Sequence, residues 1–234
     1  MSPRRNARAA APRAPVYRSA ARGRTRALGQ HFLRDRTVVD RILELVRPTG
    51  RDLVVEIGPG RGALTEALAA RAGRLLALEI DAALAAGAAR NLASLPWVDA
   101  RCGDSSQVAG ETFDAIVVNA GVTHPLDAWL DALAPGGRML VPITSAMPAM
   151  GSTLGKGLVF LLTRTDDSIG ARVMTMVAVY SAIGLRDERL SADLGKAMMG
   201  GPATWQAVKR LRRDAHDRDA SCWLHAATCC FSTT

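Results

Sequence analysis

Aromatic residues are scarce. The 234-residue chain holds four Phe, four Trp and two Tyr, so any chemistry that needs a planar wall must draw on few side chains. Cysteine is nearly as sparse. Cys102, Cys222, Cys229 and Cys230 form no paired CxxC and no disulfide framework, which fits a reducing, cytoplasmic setting. Cys222, His225 and Cys229 can be drawn as metal ligands, but their spacing matches no usual zinc pattern, and no metal is expected. No run of about 18 apolar residues occurs, which argues against a helical membrane span. Acidic residues are missing from the first 28 positions, which carry Arg4, Arg5, Arg8, Arg13, Arg18, Arg22, Arg24 and Arg26.

The rest of the composition is that of a folded domain. Hydrophobic residues make up 48%, enough for a full core, and the length fits one α/β domain with a tail and a small appendage. The formal net charge of +8 sits wholly in the arginine-rich arm, because the remaining 22 basic and 22 acidic residues cancel. Residues 1–28 are too polar and too broken by proline to fold alone. A disordered arm touching RNA phosphates is the leading reading. A solvated tail and an organelle-targeting peptide are the alternatives. The apolar core of a secretory signal is missing.

The chain is organised around residues 52–81, DLVVEIGPGRGALTEALAARAGRLLALEID. Residues 53–57 are a short apolar run of the kind buried on both faces of a parallel sheet. Gly58, Pro59, Gly60, Arg61 and Gly62 force a tight turn. Leu64, Ala67, Leu68 and Ala72 follow at helical spacing, and residues 75–80 form a second strand with Glu79 and Asp81 at its tip. Such a right-handed strand–helix–strand unit places a ligand at the carboxyl ends of its strands. Glycines admit a ligand where a Cβ would collide, the first helical amides point to the same spot, and Glu79 is spaced to accept hydrogen bonds from ribose hydroxyls. A nucleoside-like cofactor is therefore expected. Gly58, Gly60 and Ala63 satisfy the loose dinucleotide fingerprint. Glu56 would repel a pyrophosphate but tolerates a cationic cofactor such as S-adenosylmethionine.

The run VVEIGPGRGALTEAL, followed after six residues by LLALEID, resembles the signature of the rRNA adenine N6-dimethyltransferases. Upstream, RALGQHFLRD (residues 26–35) resembles the cofactor-closing segment of the same family, and the spacing between the two also fits. The likeness covers about residues 26–85. It implies a doubly wound, Rossmann-like α/β methyltransferase fold and S-adenosylmethionine as the cofactor. His31, in GQHFL, stands where the family often has asparagine and would bond the cofactor's carboxylate end, and Leu33 would pack on it.

Residues 35–46 read as a helix with Val38, Ile42 and Leu45 on one face, stopped by Pro48; the resemblance places it over the cofactor. Residues 82–95 read as an alanine-rich helix and 97–102 as a third strand running into Gly103 and Asp104. By resemblance Asp104 accepts the adenine amino group of the cofactor; otherwise it is a turn aspartate. Residues 113–119, FDAIVVN, are a fourth buried strand whose last residue, Asn119, is the expected catalytic and cofactor-side residue. Adenine N6 is a poor nucleophile, helped by accepting its protons and clamping the ring on an aromatic face. The family does this with Asn-x-Pro-aromatic, whereas this chain has Asn119, Ala120, Gly121, Val122. His124 follows as a candidate base or orienting group.

Residues 113–144 are similar to the protein-L-isoaspartate O-methyltransferase group, with a fifth strand at 138–143 after the Pro135-Gly136-Gly137 turn and a closing strand pair at 157–163 and 172–181. Two short helices are expected around 190–199 and 203–211. Lys209, Arg210, Arg212 and Arg213 lie beside Asp214, Asp217 and Asp219 and read as a self-balanced surface rather than an RNA patch. The expected organisation is a basic arm (1–28), a methyltransferase domain (29–185) and a small helical C-terminal extension (186–234). The leading function is S-adenosylmethionine-dependent methylation of rRNA adenine N6. Methylation of a carboxylate is the alternative enzyme reading, and a non-catalytic RNA-binding or ribosome-assembly protein the alternative class.

Overall fold

The structure is a computed structural model and describes residues 35–147 and 154–234. The arginine-rich arm, His31 and Leu33 lie outside the described residues. Strands β1 (Leu53–Ile57), β2 (Arg74–Glu79), β3 (Val98–Cys102), β4 (Phe113–Val118) and β5 (Leu133–Ala146) alternate with helices α2 (Ala63–Ala69), α3 (Ala82–Asn91) and α4 (Asp127–Ala132), after a first helix α1 (Arg36–Val46). Strands β1 to β5 are parallel in the order β3-β2-β1-β4-β5. The chain winds outward from β1 to β3, returns to β4 beside β1, and continues the other way. The crevice between β1 and β4 is therefore the switch point, where α/β sheets bind ligands.

Neighbouring residues of the central strands feed opposite faces, as burial on both sides of a parallel sheet requires. Val54, Ala115 and Val117 join Leu43 and Val46 of α1 and Leu64 and Leu68 of α2 on one face. Val55, Ile57, Ile116 and Val118 join Trp129 and Leu130 of α4 on the other. The helices carry local signals for their ends. Asp35 caps α1 by accepting from the Thr37 amide at 2.9 Å, and Asp81 caps α3 through the amides of Ala83 and Leu84, each satisfying donors that a helix start leaves free. Arg47 ends α1 in the left-handed region, just before Pro48.

The strand at 138–143 is longer than its apolar run. Pairing of β5 with β4 jumps from Phe113↔Leu133 to Ala115↔Arg138, so Pro135-Gly136-Gly137 is an irregularity inside β5. Gly136 supplies the positive φ, +76°. Two long antiparallel strands follow, β6 (Leu154–Arg164) and β7 (Ile169–Tyr180), the expected closing pair.

The C-terminal expectation needs correction. Helix α5 (Glu188–Met199) forms where expected, but the second helix is only α6 (Pro202–Gln206). Its expected continuation to 211 is overridden. Arg210 is exposed, Leu211 buried and Arg212 half-buried, the two-residue period of a strand. Strands β8 (Arg210–Arg212), β9 (Cys222–His225) and β10 (Cys230–Ser232) then extend the sheet to ten strands, ending β7-β8-β10-β9. The residues after 185 are thus partly an extension of the main sheet rather than a helical appendage. Two residues of the basic cluster are paired: Arg212 with Asp214 and Asp219, and Arg213 with Asp131 and Asp127 of α4. Among the described residues no helix is long and apolar enough to cross a membrane.

A Cβ on Gly157 would overlap the Ile143 carbonyl oxygen of β5, whereas one on Gly50 would meet nothing within 4 Å. Gly157→Ala is expected to destabilise the chain by about 1–3 kcal/mol through the backbone shift it forces, and Gly50→Ala to leave it unchanged. Urea midpoints of the two variants check this; equal midpoints would refute the close β5–β6 approach.

Candidate functional site

The glycine turn is held from three sides. Gly58, Gly60 and Gly62 all have positive φ (78°, 59° and 90°), conformations that L side chains rarely adopt. The Gly58 amide donates to the Leu78 carbonyl of β2 at 2.9 Å, and the Asn119 amide donates to the Ile57 carbonyl at 2.8 Å. These bonds lace the tips of β2, β1 and β4 together beyond their regular pairing. The Asn91 side chain of α3 donates to the Arg61 carbonyl at 3.0 Å.

Glu79 completes the frame. One carboxylate oxygen accepts the Gly60 amide at 3.0 Å and the other accepts the Asp81 amide at 3.1 Å. The residue is 7% exposed, and burial raises its pKa even though these two amides pull the other way. Each oxygen keeps a further lone pair for a ligand.

The tips border a cavity of about 1020 Å³. Gly58, Glu79, Asp104 and Asn119 all line it, so residues spread over 62 positions of sequence come to one place. Val38, Ile42 and Leu45 line it from α1; the face of this helix read as apolar is the one turned to the cavity, while Leu43 and Val46 enter the core. Asp104 is a turn aspartate, capping the 3₁₀ turn Ser105–Val108 through the Ser106 amide at 2.8 Å, and it also borders the cavity. Ile80, 41% exposed, offers an apolar surface between Glu79 and Asp81 at the same wall.

Beyond Asn119 the chain is tied into the sheet. Gly121 donates to the Tyr180 carbonyl and accepts from the Ala182 amide, and Val122 bridges Pro142 and Thr144 of β5. A Cβ at Gly121 would overlap the Thr144 hydroxyl. The stretch that differs from Asn-x-Pro-aromatic is thus an extended, close-packed connection. Tyr180, an aromatic residue at the end of β7, is among the residues that line the cavity. Its sequence context held no signal, because only tertiary pairing of β7 brings it to the site. His124 is not among the residues lining the cavity. Its Nδ1 is 3.1 Å from the buried Thr123 hydroxyl, and burial lowers its pKa against the opposing pull of Asp187 and Asp127.

Glu56 lies next to the lining residue Ile57 and is fully buried. The Thr65 hydroxyl donates to one of its oxygens at 2.6 Å, and the other is buried with no partner. Burial pushes its pKa up to about 7, opposed by Thr65 and reinforced by the neighbouring charge of Glu79. A carboxyl whose folded value is raised adds stability below its unfolded value, and that contribution is lost as pH rises through the folded value. Between about pH 5 and about pH 8 the wild-type chain is therefore expected to lose up to about 3 kcal/mol relative to Glu56→Gln. Urea unfolding at the two pH values measures the gap; a pH-independent difference would show that Glu56 does not titrate this way.

Residues 22–98 match the family described as ribosomal RNA adenine dimethylase. The chain is 40% identical over 120 residues to ribosomal RNA small subunit methyltransferase A of Pelotomaculum thermopropionicum, an overlap covering 49% of this chain and 41% of that protein. It is 55% identical over 56 residues to an rRNA adenine N-6-methyltransferase of Streptomyces fradiae, covering 24% and 18%. The chain spans less than half the length of these relatives. Among solved structures it is similar to a protein-L-isoaspartate O-methyltransferase, with a TM-score of 0.55 and 22% identity, over 70% of this chain and 51% of that one. A Plasmodium falciparum protein described as a putative enzyme of that kind, in complex with S-adenosyl-L-homocysteine, aligns with a TM-score of 0.51 and 18% identity, over 61% and 70%. The fold is the Rossmann-like methyltransferase fold. The front third carries the dimethylase signature, and the match to that family ends at residue 98, before Asp104, Asn119 and Tyr180.

Proposed function

We propose that the chain is an S-adenosylmethionine-dependent methyltransferase acting on adenine N6 of ribosomal RNA in the cytoplasm. The observation that carries this reading is the convergence of Gly58, Glu79, Asp104 and Asn119 on one cavity at the switch point of the sheet. The glycine cradle has room for a backbone-hugging ligand, and Glu79 beside it lines the cavity with oxygens that keep acceptor capacity for a ligand. When bound, the cofactor supplies a methyl group on a sulfonium. Gly58 and its turn would hold the methionine end, Glu79 the ribose hydroxyls and Asp104 the adenine amino group. His31 and Leu33, beyond the described residues, would close over it ahead of α1.

On the acceptor side Asn119 would accept a hydrogen bond from the target amine, freeing nitrogen electron density towards the methyl group. In this reading Tyr180 replaces the aromatic residue that the dimethylases carry after their asparagine and gives the base a face to stack on. The close-packed cavity walls act by positioning, the main requirement for in-line transfer. The arginine-rich arm at 1–28 would contact rRNA phosphates.

A second reading is favoured by one observation. Gly121 and Val122 offer no clamp where the dimethylases have proline and an aromatic residue, which suits a smaller acceptor such as a carboxylate.

Labelled cofactor with undermethylated small ribosomal subunits, and separately with an isoaspartyl peptide, separates the readings. Base-stable label in RNA is the expected result. A base-labile methyl ester would replace it with the carboxylate reading. Cofactor binding without transfer to either acceptor would count against both and favour a non-catalytic RNA-binding protein. Asp104→Ala is expected to weaken cofactor binding about tenfold or more, the loss of a hydrogen bond to a charged group. Asn119→Ala is expected to lower kcat about 100-fold through misplaced acceptor geometry. Unchanged cofactor affinity in the first variant would remove the adenine assignment.

A further inference from the structure

The far edge of the sheet holds a second cluster of side chains, remote in sequence from the cavity. One ligand-type atom from each of His216, Cys222, His225 and Cys230 lies within 4.8 Å of the others. Two of the four, Cys222 and Cys230, are buried, and the two histidines are half-buried. Two ligands on one tetrahedral zinc stand about 3.3–3.8 Å apart, from bond lengths of about 2.0–2.3 Å. The Cys222 Sγ to His216 Nε2 separation is already 3.5 Å.

The local structure explains how they meet. Cys230 and His225 are direct cross-strand partners of β10 and β9, so they share a face. Cys222 and His225 are three residues apart and in a regular strand would point to opposite faces. The pairing moves from Phe231↔Leu224 to Ser232↔Cys222 and leaves Trp223 without a partner. This bulge shifts the alternation by one residue and returns Cys222 to the His225 side. The opposite face packs Trp223 and Phe231 against Phe160 of β6, with ring centroids 4.5–6.4 Å apart. His216 arrives from the loop between β8 and β9, which is anchored by Arg212 to Asp214 and Asp219.

The outer contacts suit metal ligation. His216 Nδ1 lies 2.8 Å from the Asp214 backbone carbonyl. Donating there places its proton on Nδ1 and leaves Nε2 as a lone pair beside Cys222, the arrangement by which a ligating histidine is usually oriented. The Asp219 amide donates to Cys222 Sγ at 3.4 Å, and the same sulfur donates to an Asp219 carboxylate oxygen at 3.5 Å, so Asp219 fixes where the sulfur sits. His225 Nδ1 is buried with no hydrogen-bond partner, and a nitrogen in that state is costly unless something binds it.

We propose that His216, Cys222, His225 and Cys230 form a structural zinc site that clamps the C-terminal strands onto the sheet. Two thiolates and two imidazoles in a tetrahedral set select zinc among the common divalent ions. Four protein ligands leave no open position, so the site is structural rather than catalytic. The expectation that no metal is held came from trying Cys222, His225 and Cys229. The cluster instead uses Cys230 and adds His216.

The test is metal analysis of the full chain purified under reducing conditions without chelator. One zinc per chain is expected, and exchange with cobalt should give the thiolate charge-transfer and tetrahedral d–d bands of a mixed sulfur–nitrogen site. Cys222→Ser and Cys230→Ser should lose the metal, while Cys229→Ser and Cys102→Ser should keep it. Because the first two variants can fail to fold, the wild-type chain is also tested with a thiol reagent. Cys102, the exposed thiol, should react at once, and removal of zinc by a chelator should make two further thiols more reactive than in the metal-loaded chain. Absence of zinc and of cobalt bands with all thiols reduced would overturn the proposal, as would a Cys222–Cys230 disulfide in the native chain or zinc retained in Cys222→Ser. None of these readouts depends on methyl transfer.

Discussion

The paired hydrogen bonds that Glu79 accepts from Gly60 and Asp81 are the constraint around which the cofactor side of the molecule is arranged. They fix a three-glycine turn whose backbone would otherwise be the least ordered part of the domain. The same carboxylate faces the cavity, so one side chain both shapes the turn and presents acceptors to a ligand. The cost is a buried charge. A second buried carboxylate, Glu56, lies near enough to raise its own proton affinity further. The site therefore crowds two buried carboxyl groups beside a turn in which three of five residues carry no side chain. A positively charged ligand resolves that conflict better than a phosphate would.

Much of this half was legible in the sequence because its signals are local. The run 53–57, the glycine turn and the apolar period of α2 each sit within a few residues of one another. Glu79 and Asp104 fall at strand ends, and a strand end is visible wherever an apolar run stops at a polar residue. The third strand was placed correctly, although all five of its residues are partly or fully exposed, as befits the edge position of β3 that only the topology reveals.

What could not be read depended on pairing between distant segments. Tyr180 reaches the cavity only because β7 runs antiparallel to β6, which in turn follows β5. Residues 203–211 look helical because Ala203, Ala207 and Leu211 satisfy a helical period as well as an extended one. Tertiary contacts decide in favour of strands, with the Lys209 carbonyl accepting from Ala171 and the Lys209 amide donating to Ser232. The Cys/His cluster was hidden for a sharper reason. A single bulged residue, Trp223, inverts the facing of Cys222, and no spacing rule anticipates an inversion that exists only in the paired strand.

The attachment of β8 to the rest of the sheet rests on two residue pairs, Ile169↔Leu211 and Gly170↔Arg210, against the eleven that join β6 to β7. Backbone pairing across that seam is thin, so the strands beyond β7 are held to the core mainly by the side chains they bury, Leu211, Trp223, Leu224 and Phe231. The Phe160–Phe231 ring contact reaches past β7 and β8 to β6, so the margin of the sheet is fastened by packing where its centre is fastened by its ladder.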